Sequence, residues 1–369
     1  MSTYQKMRHL INKNHSFLFN YIPLCFCVCF IAFMLLRFPE TAGQGVTNGI
    51  DICLGTLVPS LYPFMILSGF LVNFDLLKGL QKITAPIMKL LFRLPSVCTT
   101  TIFMSMIGGL PVGGKMTQSL FESEQISRSQ GQRMLLFCIN PGPAFVISTV
   151  GLYMLGSKYV GVILFTSLII STLIMGFLSR FFSADDDFYM PKAQQKSGTN
   201  IPQALVNSVS QGSMNILSVC AWVLLFSCII QLIEILPFSE EGKFFSYCIL
   251  EVTNGCLYAC GSLPLPIIAG IIAFGGICAH CQIMSAVIKL GLKLKYFFTA
   301  RILNAAIAVV VCQALLYFFP VTQQTFSIGN KPDALSSVSA PVSVCMLVSC
   351  VLFLLGDSFK LKLGRKNPH

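Results

Sequence analysis

The sequence predicts an all-α polytopic membrane protein with about eight transmembrane helices and two re-entrant hairpins. Three quantities support this prediction: 54% of the 369 residues are apolar, 11% are charged, and the mean hydropathy is +0.75. A helix needs roughly 20 mostly apolar residues to cross about 30 Å of hydrocarbon, and eight stretches of the chain approach that length. A soluble hydrophobic core is therefore excluded.

The predicted spans are separated by short loops that carry the charged residues. They cover residues 17–36, 50–74, 134–155, 160–181, 205–236, 264–288, 297–319 and 340–355. Two further runs, 97–114 and 244–261, are short and rich in glycine or polar residues. Irregular backbone at membrane depth is tolerated only inside protein or along a wet cavity. Both runs are therefore predicted to be re-entrant hairpins, with full crossing as the alternative.

The net charge of +11 does not indicate nucleic acid, because the basic residues are scattered through loops. Placing both termini in the cytoplasm puts most of them on the cytoplasmic side, as membrane topology favours. The basic start of the chain and the run 17–36 resemble a signal peptide, but no small-residue cleavage site follows this long run. An anchoring span is predicted instead. Most of the 16 cysteines lie inside apolar runs and are interpreted as small core residues.

A polar stretch with three consecutive aspartates divides the chain almost evenly. At an offset of 159, Asn48 matches Asn207 and Ser68 matches Ser227. Each half would hold three spans and one hairpin, and an odd number of crossings inverts the second half relative to the first, as in many secondary transporters. The predicted division is 1–44 (basic segment and anchoring span), 45–181 (first repeat), 182–203 (cytoplasmic linker), 204–320 (second, inverted repeat) and 321–369 (extra span and basic cytoplasmic tail).

The strongest local signal is the segment 108–115, Gly-Gly-Leu-Pro-Val-Gly-Gly-Lys. Gly109, Gly114 and Lys115 have the spacing of a phosphate-binding loop. However, Met116 replaces the Ser or Thr that would bind magnesium, so a nucleotide site is not predicted. We expect a hairpin tip whose free backbone N–H groups face an anion, with Lys115 adding charge. A surface turn with a snorkelling lysine is the alternative.

Two predicted spans contain helix breakers. The two prolines of Asn140-Pro141-Gly142-Pro143 remove backbone donors, so the helix must break there. Its freed carbonyls and the Asn140 side chain would then be available to a solute or cation, unless the break is a simple packing kink. In the second half, Gly275-Gly276 predicts a broken helix that exposes His280 and Gln282. The single C-x-x-C around His280 lacks the further ligands that a metal site needs.

Glu251 is the most deeply placed acidic residue of the sequence, next to Thr253 and Asn254. An ionisable group at membrane depth costs about 2.5 to 3.5 kcal/mol on insertion scales and is a functional candidate for that reason. Two roles are open for it: a coupling site for a proton or sodium ion, or an ion-pair partner of Arg301.

The sequence thus predicts a substrate site without a catalytic residue, a metal or a cofactor, apart from the coupling ion. Its candidate residues come from the hairpins and the broken helices. They are Gly108, Gly109, Pro111, Gly113, Gly114, Lys115, Asn140, Pro141, Gly142, Glu251, Thr253, Asn254, Gly275, Gly276, His280, Gln282 and Arg301.

Several motifs together resemble the sporulation integral membrane proteins of the YlbJ type, which carry nucleoside-recognition gate domains. They lie at 56–64 (TLVPSLYPF), 108–115, 140–145 (NPGPAF), 250–255 (LEVTNG) and 274–276 (FGG). The resemblance covers roughly residues 45–320. It implies two gate-type repeats, a fold distantly like that of concentrative nucleoside transporters, a place in the outer forespore membrane of a spore-forming bacterium, and movement of dipicolinic acid. Gly108 and Leu110 depart from the hairpin pattern of the family, which often has Ser or Tyr there.

These features predict a transporter for a small polar or anionic solute. Alternatives are a nucleoside transporter and a membrane scaffold or signalling protein for spore-envelope assembly that transports nothing. An enzyme is not predicted, because the sequence shows neither a nucleophile paired with a general base nor a metal cluster. The expected partners are the lipid bilayer and a small-molecule substrate, with a homo-oligomer as an open alternative and no nucleic acid.

Overall fold

The computed structural model describes residues 25, 26, 28–73, 78–182 and 200–321, and its regular structure within these ranges is helical. The predicted span 340–355 and the basic tail lie outside the described residues. So do residues 183–199 of the predicted linker 182–203 and the first part of the predicted span 17–36.

The first half begins with a short helix and a long one. Its helices are α1 (Val28–Arg37), α2 (Pro39–Ile52) continued through a π turn (Cys53–Leu57) into α3 (Val58–Asn73), α4 (Lys78–Ile87) with a π turn (Met88–Phe92), α5 (Cys98–Ile107), α6 (Leu110–Glu122), α7 (Arg128–Phe137), α8 (Ala144–Met154, of π type) and α9 (Lys158–Ser179).

Among the described residues, the helices of the second half come in a similar order, without a counterpart of α4. Its helices are α10 (Ile201–Ile233), α11 (Glu240–Leu250), α12 (Val252–Ala259), α13 (Leu265–Phe274), α14 (Gly276–Lys289) and α15 (Leu294–Phe318). Each half therefore has a long helix, a pair of short helices, a broken helix and a closing helix.

Side-chain caps set several of these helix boundaries. Ser127 Oγ accepts from the Gln130 N–H at 3.1 Å, and Gln130 Oε1 accepts from the Ser127 N–H at 3.0 Å, which is a capping box at the start of α7. Ser157 and Ser239 cap α9 and α11, each accepting from the backbone N–H three residues on. Such caps satisfy amides that have no partner in the first turn.

Five helical stretches within the described ranges are long and apolar enough to cross a membrane: Pro39–Leu71, Lys158–Ser179, Ile201–Ile233, Leu265–Lys289 and Leu294–Phe318. They correspond to the predicted spans 50–74, 160–181, 205–236, 264–288 and 297–319. The first starts earlier than predicted, because Pro39 is favourable in the first turn of a helix. The chain is thus a polytopic α-helical membrane protein, while the count of eight spans and the re-entrant hairpins stay predictions.

Both predicted helix breaks are present. α7 ends at Phe137 and α8 begins at Ala144, with two prolines between them, so the predicted span 134–155 is not one helix. α13 and α14 meet at Gly275 and Gly276, whose φ angles are +86° and +75°. This left-handed backbone favours glycine, so the glycine pair ends one helix and starts the next.

The long helices of the two halves pack closely and run in opposite directions. A Cβ added to Gly45 of α2 would lie 2.8 Å from Cys228 Cα, whereas one added to Gly69 of α3 would lie 3.4 Å from Ser208 Cα. The contact therefore moves towards the start of α10 as α2 and α3 advance. Small residues allow such close approach of membrane helices. Opposite directions are what an inverted repeat requires of its equivalent helices.

Contacts among the other helices come in corresponding pairs. α3 packs on α8 as α10 packs on α14, α6 packs on α14 as α12 packs on α8, and α7 packs on α15 as α13 packs on α9. Replacing each helix by its counterpart converts one contact of each pair into the other. This pattern supports the predicted repeat, and inversion throughout both halves stays a prediction.

Candidate functional site

A cleft of about 500 Å³, part of it open to solvent, lies where the two halves meet. One wall is apolar and comes from α10 and from α3 with its preceding π turn, and the rest comes from the helix breaks. The lining residues are Leu57, Leu61, Met65, Gly109, Leu110, Pro111, Pro141, Gly142, Phe145, Val219, Val223, Glu251, Val252, Thr253, Cys278, Ala279 and Gln282.

Four helical segments, two from each half, present their first turns to the cleft. The lining residues in these turns are Leu110 and Pro111 of α6, Phe145 of α8, Val252 and Thr253 of α12, and Cys278 and Ala279 of α14. The first N–H groups of a helix lack partners within it, and a helix N-terminus carries roughly half a positive charge. Helix starts of this kind favour a negative charge nearby.

Glu251 is the acidic residue among the described lining residues and is 2% exposed. It lies between α11 and α12 with extended backbone, φ −145° and ψ 122°. Its Oε2 accepts from the backbone N–H of Asn254 at 2.8 Å and from the Asn254 side-chain amide at 3.0 Å. The carboxyl group thus caps α12 at the edge of the cleft.

In each half, a glycine of the broken helix contacts the turn between the two short helices. A Cβ added to Gly142 would lie 2.9 Å from Ile107 O and 3.4 Å from Gly109 Cα. One added to Gly276 would lie 3.0 Å from Val252 N. Backbone therefore touches backbone at both places, and this contact holds the starts of α6, α8, α12 and α14 around one space.

Three carbonyls next to the breaks have partners from the protein's own side chains. In the first half, the Asn140 amide donates to Phe137 O at 2.9 Å, and Arg301 Nη1 donates to Ile139 O at 2.6 Å. In the second half, His280 Nε2 lies 2.8 Å from Phe274 O, the carbonyl just before the break. These three carbonyls each have a partner from the chain, and the expectation that freed carbonyls serve a solute stays a prediction.

Asn140 and Arg301 both lie away from the cleft lining. Asn140 also donates to Ser105 Oγ at 3.3 Å and accepts from Thr172 Oγ1 at 2.6 Å, so its amide is used within the fold. Arg301 is fully buried, and the ion pairs described do not include one with Glu251. The alternative of a Glu251 and Arg301 pair is therefore wrong; the arginine instead supports the first break.

Lys115 does not lie at a hairpin tip. It lies within α6, and its Nζ donates to Asn215 Oδ1 of α10 at 2.6 Å. Gly113 and Gly114 are also helical: Cβ atoms there would lie 1.7 Å from Cys138 O and 2.8 Å from Ile283 Cγ2. The segment 108–115 is therefore one turn at Gly108 and Gly109 followed by a helix that uses its other glycines for packing.

Seven predicted site residues line the cleft: Gly109, Pro111, Pro141, Gly142, Glu251, Thr253 and Gln282. The others surround or support it: Gly108, Gly113, Gly114, Lys115, Asn140, Asn254, Gly275, Gly276, His280 and Arg301. Sequence reasoning missed the apolar wall of Leu57, Leu61, Met65, Val219 and Val223. Spacings of four residues mark a helix face, but a core or lipid-facing residue has the same spacing. The motif 56–64 contains Leu57 and Leu61 and was the one signal available.

The fold defines an α-helical integral membrane protein with a cleft between its two halves. Residues 54–156 match the family model described as Gate, nucleoside recognition. This segment contains the cleft residues of the first half. The chain is also similar to the sporulation integral membrane protein YlbJ of Bacillus subtilis (strain 168), with 22% identity over 393 aligned positions that cover 91% of this chain and 96% of that protein. These matches confirm the resemblance to YlbJ-type proteins, and no solved structure matches.

Proposed function

We propose that this protein transports a small polar or anionic solute across a membrane and binds it in the cleft. The observation behind the proposal is that four helix starts from both halves converge on one space. Interrupted helices with N-termini directed at a site near the repeat interface are typical of secondary transporters. A lipid-facing surface has no use for such backbone, because lipid offers it no hydrogen-bonding partner.

Dipicolinic acid is the substrate that we propose first. Backbone N–H groups at helix N-termini bind carboxylates, and none of the described lining residues is Lys or Arg. Recognition of a flat dianion would therefore depend on the helix starts of α6, α8, α12 and α14. The printed name of the relative connects that protein with sporulation, and the resemblance to its family implies dipicolinate as cargo. The outer forespore membrane, with both termini in the cytoplasm, is the proposed location.

A nucleoside is the second candidate. The family model matched by residues 54–156 is described as nucleoside recognition. The cleft also offers Glu251, Thr253 and Gln282, whose carboxylate, hydroxyl and amide suit the neutral hydroxyl and N–H groups of a nucleoside. A neutral solute would not be repelled by Glu251, whereas a dianion requires the helix N-termini or a bound cation to offset that charge.

Glu251 is the proposed coupling residue, acting through a proton or a sodium ion. It is buried, it lines the cleft, and it contacts the start of α12. Taking up a cation there would change the charge of the site by one unit where the solute binds. Coupling of an anionic solute to a cation follows from this arrangement, because each reduces the electrostatic cost of the other.

The test is uptake of labelled dipicolinate and labelled uridine into proteoliposomes, with and without a proton or sodium gradient. We expect gradient-driven uptake of one solute, and its loss in Glu251→Gln. Glu122→Gln, at the exposed end of α6, is the matched control and should retain uptake. If neither solute enters under any gradient while the protein remains folded, the non-transporting scaffold replaces the transporter.

A further inference from the structure

α4 and the π turn after it, residues 78–92, have no counterpart in the second half. α10 ends at Ile233 and α11 begins at Glu240, with no helix between them. The gate-like arrangement of short helices and broken helix is therefore complete without α4. Its 15 residues, at about 1.5 Å per residue, are too short to cross roughly 30 Å of hydrocarbon.

The polar face of α4 is directed towards the protein. Gln81 Nε2 donates to Thr100 Oγ1 at 2.7 Å, and the hydroxyls of Thr84 and Thr99 lie 2.8 Å apart. Both partners belong to α5. In water an amphipathic helix would do the opposite and bury its apolar face.

The outward face of α4 and of its π turn is apolar. Ile83, Ile87 and Leu90 are 74%, 50% and 71% exposed. Their spacing of four and then three residues places them on one stripe of the helix. Met88 and Phe92, which lie on the other side, are buried in the core beneath.

Two exposed lysines flank this stripe. Lys82 and Lys89 are seven residues apart, which is close to two helical turns, so they lie on the same side of α4. The segment 78–92 contains no Asp or Glu. At its end, the Arg133 guanidinium donates to the carbonyls of Phe92 and Arg93, which fixes the segment against α7.

We propose that residues 78–92 form an interfacial helix that lies in the plane of the membrane surface and binds anionic lipid headgroups. Ile83, Ile87 and Leu90 enter the boundary of the acyl chains, and Lys82 and Lys89 reach the headgroup phosphates. A helix with an apolar stripe flanked by basic residues is the pattern that anionic membrane surfaces attract.

The depth of the helix is measured by tryptophan fluorescence, since Trp222 is the chain's single tryptophan. Ile83→Trp and Leu90→Trp are made separately in a full-length Trp222→Phe background and reconstituted with lipids carrying a nitroxide high or low on the acyl chain. We expect both sites to be quenched more by the shallow nitroxide, and to the same extent. Val310→Trp, an exposed position near the middle of α15, is the control and should be quenched more by the deep nitroxide.

Headgroup binding is measured by placing the nitroxide on phosphatidylglycerol or on phosphatidylcholine. We expect stronger quenching of Ile83→Trp by the anionic lipid, with a preference on the order of five-fold for each lysine. Lys82→Gln with Lys89→Gln should abolish the preference, whereas Lys243→Gln should not. Three results would overturn the proposal. Weak quenching by every lipid would mean that protein or a second copy covers the stripe, and a depth that increases from residue 83 to residue 90 would mean that α4 enters the membrane. Equal quenching by both headgroups would mean that anionic lipid is not preferred.

Discussion

Gly276 lies directly against Glu251: a Cβ on the glycine would be 3.2 Å from the Glu251 Cα, and the glycine φ is +75°. We predict that Gly276→Ala lowers both stability and uptake. A non-glycine residue at positive φ costs about 1 to 3 kcal/mol, and the added carbon pushes the start of α14 away from the carboxylate. Thermal unfolding in detergent and proteoliposome uptake measure the two effects.

The matched control for this change is Gly43→Ala in α2, where a Cβ would have no neighbour within 4 Å. Alanine is the better helix former, so this variant should be as stable as the parent or more so. Equal behaviour of the two variants would show that the contact between Gly276 and Glu251 has no importance for the site.

Glu251 has two separable roles, as the cap of α12 and as the charge in the cleft. Glu251→Gln keeps an acceptor for the Asn254 N–H, so we expect stability close to that of the parent but loss of gradient-driven uptake. Glu251→Ala removes the cap as well and should lower stability by about a further 0.5 to 2 kcal/mol. Unfolding and uptake are measured on both variants. Full uptake by the glutamine variant would leave the residue with the capping role alone.

The breaks at Pro141 and Gly275 could be predicted from the sequence, because proline and glycine act through their own backbone chemistry. Glu251 could be predicted for a similar local reason, since an acid within an apolar run needs an explanation wherever the chain folds. A hairpin tip was expected over the whole of 108–115, whereas Gly113 and Gly114 lie in α6, because such glycines are equally compatible with a loop and with close helix contacts.

The partners of the freed carbonyls could not be predicted. Arg301 reaches Ile139 across 162 residues of sequence, and nothing at either position indicates the other. A break frees carbonyls, yet whether a solute or a side chain satisfies them depends on which helices pack nearby. The apolar wall, including Met65 and Val219, was missed because its residues match those of any buried helix face.

Asn140 is predicted to determine stability more than solute affinity. Its amide makes three hydrogen bonds, to Phe137, Ser105 and Thr172, and it is 4% exposed. Asn140→Ala leaves buried polar groups unsatisfied and should cost about 2 to 4 kcal/mol. Asn48→Ala, which removes an exposed amide of α2, should change stability by no more than about 0.5 kcal/mol. Thermal unfolding compares them, and similar small losses would contradict the role given to Asn140.

Glu122 at the end of α6 forms an exposed ion pair with Lys289 at the end of α14. Its hydrogen bond from Lys289 holds the pKa of the Glu122 carboxyl below its ordinary value. A lowered pKa means that the contribution to stability is present above the ordinary pKa and is lost as the pH falls through the lowered one. We expect Glu122→Gln to lower stability slightly at neutral pH and to have little effect at acidic pH.

This pH effect is measured as the difference in melting temperature between parent and Glu122→Gln at pH 7 and at pH 3. The difference should be larger at pH 7 and should shrink in high salt, because exposed charges are screened. A difference that grows as the pH falls would contradict the direction of the pKa shift.

Lys115 and Asn215 are predicted to act as a structural pair between α6 and α10. A hydrogen bond from a charged donor contributes about 1.5 to 3 kcal/mol, so Lys115→Met and Asn215→Leu should each destabilise the protein. The double variant should lose little more than either single one, because both remove the same contact. A coupling energy of about 1 kcal/mol or more in a double-mutant cycle of thermal unfolding is the expected outcome. Additive losses, together with a drop in uptake confined to the lysine variants, would instead place Lys115 at the solute.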